Sequence, residues 1–285
     1  MPHVTRRVGP IEVTAITDCD FAERPMVEAF PDAPAEPLLA AKATYPSVYT
    51  EDDRWRLRVR AWLVRHPDGV LLLDTGIGGV SAPAHQWAPV VGDFAAELAA
   101  LGMAPHHVDT VAISHVHDDH IGGVLGDDGG LAFPNARHLL QRPDLDHLRD
   151  VAHEDEEAAA ILAHLEPLIV ADVVELIEGD LEVSSHLRLH PMPGHTPGHQ
   201  ILRIEGDGRR MLLCADTWNH PAQFAHPDWP SGPDVHHAQA AASRRALLAE
   251  VLSHPGTVLA PTHLGEAFGE VRSGRDGLAA WRPLD

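Results

Sequence analysis

A mixed α/β fold in one domain is predicted by three features of the chain. Strand-like and helix-like segments alternate through its middle, hairpin signals flank that alternation, and side chains able to bind metal gather where apolar runs end. With 285 residues, 44% of them hydrophobic, and no break in composition, residues 1–285 can build one large core.

The elements follow in order. Ile11 to Thr17 alternates as Ile-Glu-Val-Thr-Ala-Ile-Thr and reads as an opening strand. From Asp20 to about Asp53 the pattern dissolves among prolines at 25, 31, 34, 37 and 46, which predicts a long N-terminal loop or lid at about 20–55. Phe30, Tyr45, Tyr49 and Trp55 would tack it either to the domain body or to the mouth of a pocket. Leu57 to His66 and Val70 to Asp74 flank Pro67-Asp68-Gly69, a β-hairpin pattern. Gly92 to Leu101 is helical, with Phe94, Leu98 and Leu101 on one face and Gly102 as the stop. Val108 to Ile113 and Ala136 to Gln141 read as strands, and His153 to Leu165 as an acidic helix buried through Ile161, Leu162 and Leu165. Val173 to Ile177, Leu187 to His190, Gln200 to Glu205 and Arg210 to Ala215 read as further strands, and Ala238 to Leu252 as an amphipathic helix.

Charge and cysteine usage narrow the function. Acidic side chains outnumber basic ones 42 to 21, and a net charge of −21 repels polyanions, so a small-molecule substrate is expected rather than nucleic acid. No long apolar segment follows Met1-Pro2-His3, so neither a signal peptide nor a membrane partner is expected. Two cysteines, Cys19 and Cys214, make no disulfide framework and fit a reducing, cytoplasmic setting. Oligomeric state stays open, a homodimer included.

The chemistry concentrates in Ser114-His115-Val116-His117-Asp118-Asp119-His120, directly after the apolar run to Ile113. Five of these seven residues can bind metal, and a strand end delivers them into a turn where they can converge. Alternation puts His115 and His117 on one side of the chain, with Asp119 and His120 placed to reach a second point. Imidazole with carboxylate suits zinc, with manganese, cobalt or iron also able to accept the set, and the donors exceed what one tetrahedral ion needs. His195, Asp216 and His263 each follow an apolar or strand-like run downstream. Asp74, in Leu73-Asp74-Thr75-Gly76, can either satisfy turn backbone groups or orient a ligand imidazole.

His-x-His-x-Asp-His followed by a distant His, Asp and His resembles the pattern of the metallo-β-lactamase superfamily, over roughly residues 58 to 272. The resemblance implies a four-layered αβ/βα sandwich of two mixed sheets with the metal site where they meet. It also implies that His115, His117 and His195 hold one ion, that Asp119, His120 and His263 hold a second, and that Asp216 bridges them. A hydroxide between the ions would then be the nucleophile, with Asp119 and Asp216 catalytic. The nearest group is that of the lactonases and methyl parathion hydrolases, which implies opening of a lactone or cleavage of an ester. Aryl-ester or organophosphate hydrolysis is the alternative; incidental β-lactam hydrolysis, a mononuclear iron dioxygenase and a non-catalytic metal carrier rank below it. One departure stands out: the best-known acyl-homoserine lactonases carry Tyr three residues after the bridging Asp, and here that residue is Asn219. Trp218, Asn219, His220 and Phe268 are therefore candidate pocket walls beside the four lid aromatics.

Overall fold

The computed structural model describes residues 3–274 and 277–284, so residues 1, 2, 275, 276 and 285 of the expected domain lie outside the described residues. Seven strands, β1 (Val4–Val8), β2 (Ile11–Pro25), β3 (Arg54–His66), β4 (Gly69–Leu73), β5 (Thr110–Ala112), β6 (Arg137–Gln141) and β7 (Val174–Ile177), form one sheet in sequence order. Seven more, β8 (Leu181–Ser184), β9 (Leu187–Pro191), β10 (Gln200–Gly206), β11 (Arg209–Ala215), β12 (Val258–Pro261), β13 (Gly269–Ser273) and β14 (Ala279–Pro283), form the second. Both sheets are mixed: pairing is parallel from β4 to β7 and between β11 and β12, and antiparallel elsewhere.

The helices are α1 (Met26–Ala29), α2 (Ala35–Ala40), α3 (Phe94–Ala100), α4 (Asp118–Ile121), α5 (Arg142–Val151), α6 (Glu156–Val170) and α7 (His237–Ser253). Alternation along the strands sorts side chains into layers. On β3, Trp62 and Val64 enter the core between the sheets, where Trp62 meets Phe268 edge-on at 5.4 Å, while Ala61 and Leu63 face α3, α5 and α6. On β11, Met211 and Leu213 face inward while Leu212 and Cys214 pack under Leu247 and Val251 of α7. The result is helix, sheet, sheet, helix, as expected. Among the described residues no helix is long and apolar enough to cross a membrane.

Several boundaries differ from those expected, each for a local reason. The opening strand is not confined to residues 11–17; β2 runs on to Pro25, paired with β3 through register shifts between Thr17 and Cys19 and between Ala22 and Pro25. Such bulges interrupt the two-residue period, which hides the strand from a pattern search. The 20–55 segment is thus part strand, followed by α1, α2 and short 3₁₀ turns. The acidic helix begins at Glu156, where Asp155 caps it by accepting from the amides of Glu157 and Ala158. α5, rich in charge, the edge strands β1, β8 and β14, and β13 beside the last of these carry too little apolar pattern to be read in advance. Both cysteines are buried free thiols.

Candidate metal centre

The C-terminal ends of the parallel strand pairs meet at one edge of the sandwich, and their loops carry the metal-binding side chains. Past β5 the backbone is extended through His117, which caps α4, so His115 and His117 arrive from loop while Asp119 and His120 ride on one helical turn. At the end of β11, Ala215 takes φ +42°, an unfavourable value for a residue with a Cβ, and the resulting sharp turn presents Asp216. His263 follows β12, and His195 lies between β9 and β10.

Three groups of donor atoms lie within 4.8 Å of one another: His115, His117 and His195; Asp119, His120 and His263; and, between them, His115, His120 and Asp216. His117 Nδ1 stands 3.1 Å from His115 Nε2 and 3.0 Å from His195 Nε2. Asp216 Oδ2 lies 3.0 Å from His263 Nε2 and 3.4 Å from His195 Nε2, and Asp216 Oδ1 lies 3.3 Å from His120 Nε2. Ligands about 2.1 Å from a tetrahedral ion stand roughly 3.4 Å apart, and these spacings come within a few tenths of an ångström of that. His120 Nε2 and Asp216 Oδ1 are buried, face each other and make no hydrogen bond, an arrangement that costs free energy unless a cation completes it. The donor set fits divalent ions.

The far side of most donor rings is fixed. Asp74 Oδ2 lies 2.9 Å from His120 Nδ1, and its carboxylate also accepts from the amide and hydroxyl of Ser114. Among the described residues the side-chain hydrogen bonds of Asp74 go to Ser114 and His120 and none to the backbone of its own Asp74-Thr75-Gly76 segment, which accords, of its two readings, with orienting an imidazole. His263 Nδ1 donates to the Arg58 carbonyl at 2.7 Å, and Arg60 grips the same loop through the carbonyls of Thr262 and Gly265 at 2.9 and 2.7 Å. Three organisers were not anticipated. Asp234 Oδ1 lies 2.9 Å from His195 Nδ1 and accepts from Ser231, while Arg244 reaches its other oxygen at 3.1 Å. Asp144 ties two donor loops together by accepting from the Val116 amide, the Thr196 hydroxyl and the Gly198 amide. His199 donates to the Met192 carbonyl and accepts the Asp216 amide at 3.1 Å, so it stays neutral and holds the backbone of the central carboxylate.

The two imidazole-bearing sides differ in charge preference. Burial, reinforced by neighbouring imidazoles, drives His115 and His117 well below the ordinary histidine range, so they sit as neutral ligands. Burial also opposes charge on His120 and His263, but the carboxylates of Asp119 and Asp216 outweigh it and hold both above that range. Burial opposes ionisation of Asp216 too, yet His263 and His120 keep it far below the usual carboxylate range.

A cavity of about 360 Å³ opens onto these donors. Of the eight expected wall residues only Trp55 and Asn219 line it. Phe30 and Tyr49 are buried in a cluster with Met26, Leu38 and Leu57, and their rings pack against His220 at 5.5 and 5.4 Å. Trp218 is buried against Phe224, and Phe268 fills the core between the sheets. Tyr45 borders a separate surface hollow. Aromaticity near the motif was a poor guide because large rings are needed to build the core as well. The remaining wall comes from polar and aromatic side chains, Glu23, Arg24, Trp87, Asp118 and Glu157, and from Ala29, Leu57, Gly232 and Pro233. Asp118 was already visible inside the motif; it stands outside the three donor groups and accepts from Trp87 Nε1 at 2.7 Å.

Fold and donor set together define a metal-dependent hydrolase. Residues 54–263 match the family model of the metallo-beta-lactamase superfamily, and the chain belongs to that superfamily. An N-acyl homoserine lactonase of Bacillus cereus is 28% identical over 196 residues, covering 63% of this chain and 71% of that protein. Among solved structures, AidC, a dizinc quorum-quenching lactonase, superposes with a TM-score of 0.84 at 23% identity over 99% of this chain and 97% of its own. The hydrolase AbOPH superposes equally well, TM-score 0.84 at 21% identity over the same shares. At those identities the two structures speak for the fold alone.

Proposed function

We propose that this chain opens the ring of a lactone, in the manner of the quorum-quenching lactonases, at a centre of two divalent ions, zinc foremost. The observation that carries the reading is the convergence of seven donors with His120 Nε2 and Asp216 Oδ1 left facing each other unbonded. Kinship with N-acyl homoserine lactonases supports the choice of lactone over other acyl substrates.

His115, His117 and His195 would hold one ion, Asp119, His120 and His263 the other, and Asp216 would lie between them. Such ions supply a water acidified enough to attack at neutral pH and a Lewis acid for the carbonyl oxygen. Asp119 lines the cavity with its side chain part-exposed, placed to take a proton from the attacking water and return one to the alcohol released by ring opening. Asn219 uses its amide to donate to Asp216 Oδ2 at 2.7 Å, so it positions the central carboxylate, whereas a tyrosine there would reach the substrate. A small cavity admits one small molecule, which accords with a substrate that is neither nucleic acid nor membrane.

The test is a screen of the metal-loaded protein against lactones, aryl esters, phosphotriesters and β-lactams. Lactones should give the highest kcat/KM. Preference for a phosphotriester or aryl ester would overturn the choice of substrate, and no turnover of any class would overturn the hydrolytic reading.

A further inference from the structure

Away from the donor side chains, the cavity is lined by three carboxylates, Glu23, Asp118 and Glu157, by the indoles of Trp55 and Trp87, and by a short apolar stretch of Ala29, Leu57 and Pro233. One guanidinium, Arg24, is present, and its Nε is hydrogen bonded to Glu23 Oε1. That pairing compensates one carboxylate. Among the described residues Asp118 is bonded to the Trp87 indole and forms no ion pair, and Glu157 feels the Arg24 charge without an ion pair to it.

A second, independent observation concerns Glu23. Its side chain lines the cavity at 8% exposed, and while Oε1 meets Arg24, Oε2 has no hydrogen-bond partner. With the carboxylates of Asp118 and Glu157 it leaves acceptors in the wall that no ion pair satisfies. A plain alkyl chain would leave them unsatisfied, whereas an ammonium brings three donors and a charge. Indole faces add cation–π attraction, and a chain of net charge −21 steers cations inward.

We propose that the substrate carries a positively charged amine on the part remote from the bond that is cut, held against Glu23, Asp118, Glu157 and the two indoles. The proposal rests on the lactonase reading for the reacting group and adds the character of the acyl side. It also predicts that long unbranched acyl chains, which want an apolar groove, are poor substrates here.

The experiment compares N-(6-aminohexanoyl)- and N-heptanoyl-homoserine lactone, equal in chain length, on the metal-loaded protein. The amine should be favoured about tenfold in kcat/KM, mostly through KM, and the advantage should shrink with added salt. Glu157→Gln and Glu23→Gln should each bring the ratio toward one, with metal content measured to exclude damage at the donors. Ligand-observed magnetic resonance with heptylamine and 1-heptanol reads the same preference without turnover. Equal or greater activity on the heptanoyl lactone, or a ratio that neither variant moves, overturns the proposal. Absence of turnover on both lactones with a retained amine preference in the binding experiment defeats the lactonase reading alone.

Discussion

The donor cluster and the cavity wall share one edge of the sandwich but are built in opposite ways. Each donor follows a strand end or a single helical turn, and nearly every ring is locked by a partner on its far side: Asp74 behind His120, Asp234 behind His195, the Arg58 carbonyl behind His263. The wall draws one or two residues each from β2, α1, β3, the loop before α3, α4, α6 and the loop before α7. Chemistry needs fixed geometry and so collects at rigid element ends, while selectivity can be assembled from whatever lies within reach.

The largest expected effect breaks the donor cluster itself. Asp216→Ala removes the atom between both groups and should cost more activity than the roughly 10 to 100-fold typical of partners behind ligand rings. Asp74→Ala and Asp234→Ala should fall within that range, with metal affinity lost in parallel by elemental analysis. Equal, mild losses for all three would erase the distinction between donors and their partners. Changes in the wall should act differently: Trp55→Ala is expected to raise KM several-fold with metal content retained, since binding is lost while the donors stay in place. A fall in kcat with unchanged KM would place Trp55 among the reacting groups instead.

How far each region could be read in advance follows from the same contrast. His115, His117, Asp119 and His120 are close in sequence, Asp216 and His263 each follow a run of buried residues, and His195 follows the alternating strand Leu187–Pro191, so spacing and apolar pattern announce them. Asp144 and Asp234 are as buried and as well bonded, but no run or spacing points to them. Their role exists only once loops 28 and 39 residues away in sequence fold against them. Wall residues are harder still, because Phe30, Tyr49, Trp218 and Phe268 have the composition of pocket residues and the positions of core. That assignment is testable: Phe268→Ala should cost roughly 3–5 kcal/mol of stability, seen as a lower Tm, with substrate preference unchanged. A shift in preference without loss of stability would return Phe268 to the wall.

The smallest effect separates histidines that serve the centre from one that serves the core. His138 is fully buried on β6, and burial outweighs the pull of the Ala136 and Val173 backbone and pushes its pKa down from 6.5 to about 4. The unfolded chain therefore binds the extra proton first, so stability contributed by the neutral ring is complete above about 6.5 and drains away as pH falls toward about 4. His138→Leu should flatten the stability curve across that window in denaturant titrations, and an unchanged curve would contradict the assignment.

The central claim, that seven donors form one centre for two ions, is tested most directly by titrating metal-free protein with zinc while following bound metal and lactone hydrolysis together. Activity should climb until about two ions are bound per chain and then level off, as the ligand count requires. Full activity and saturation at one ion per chain would contradict it.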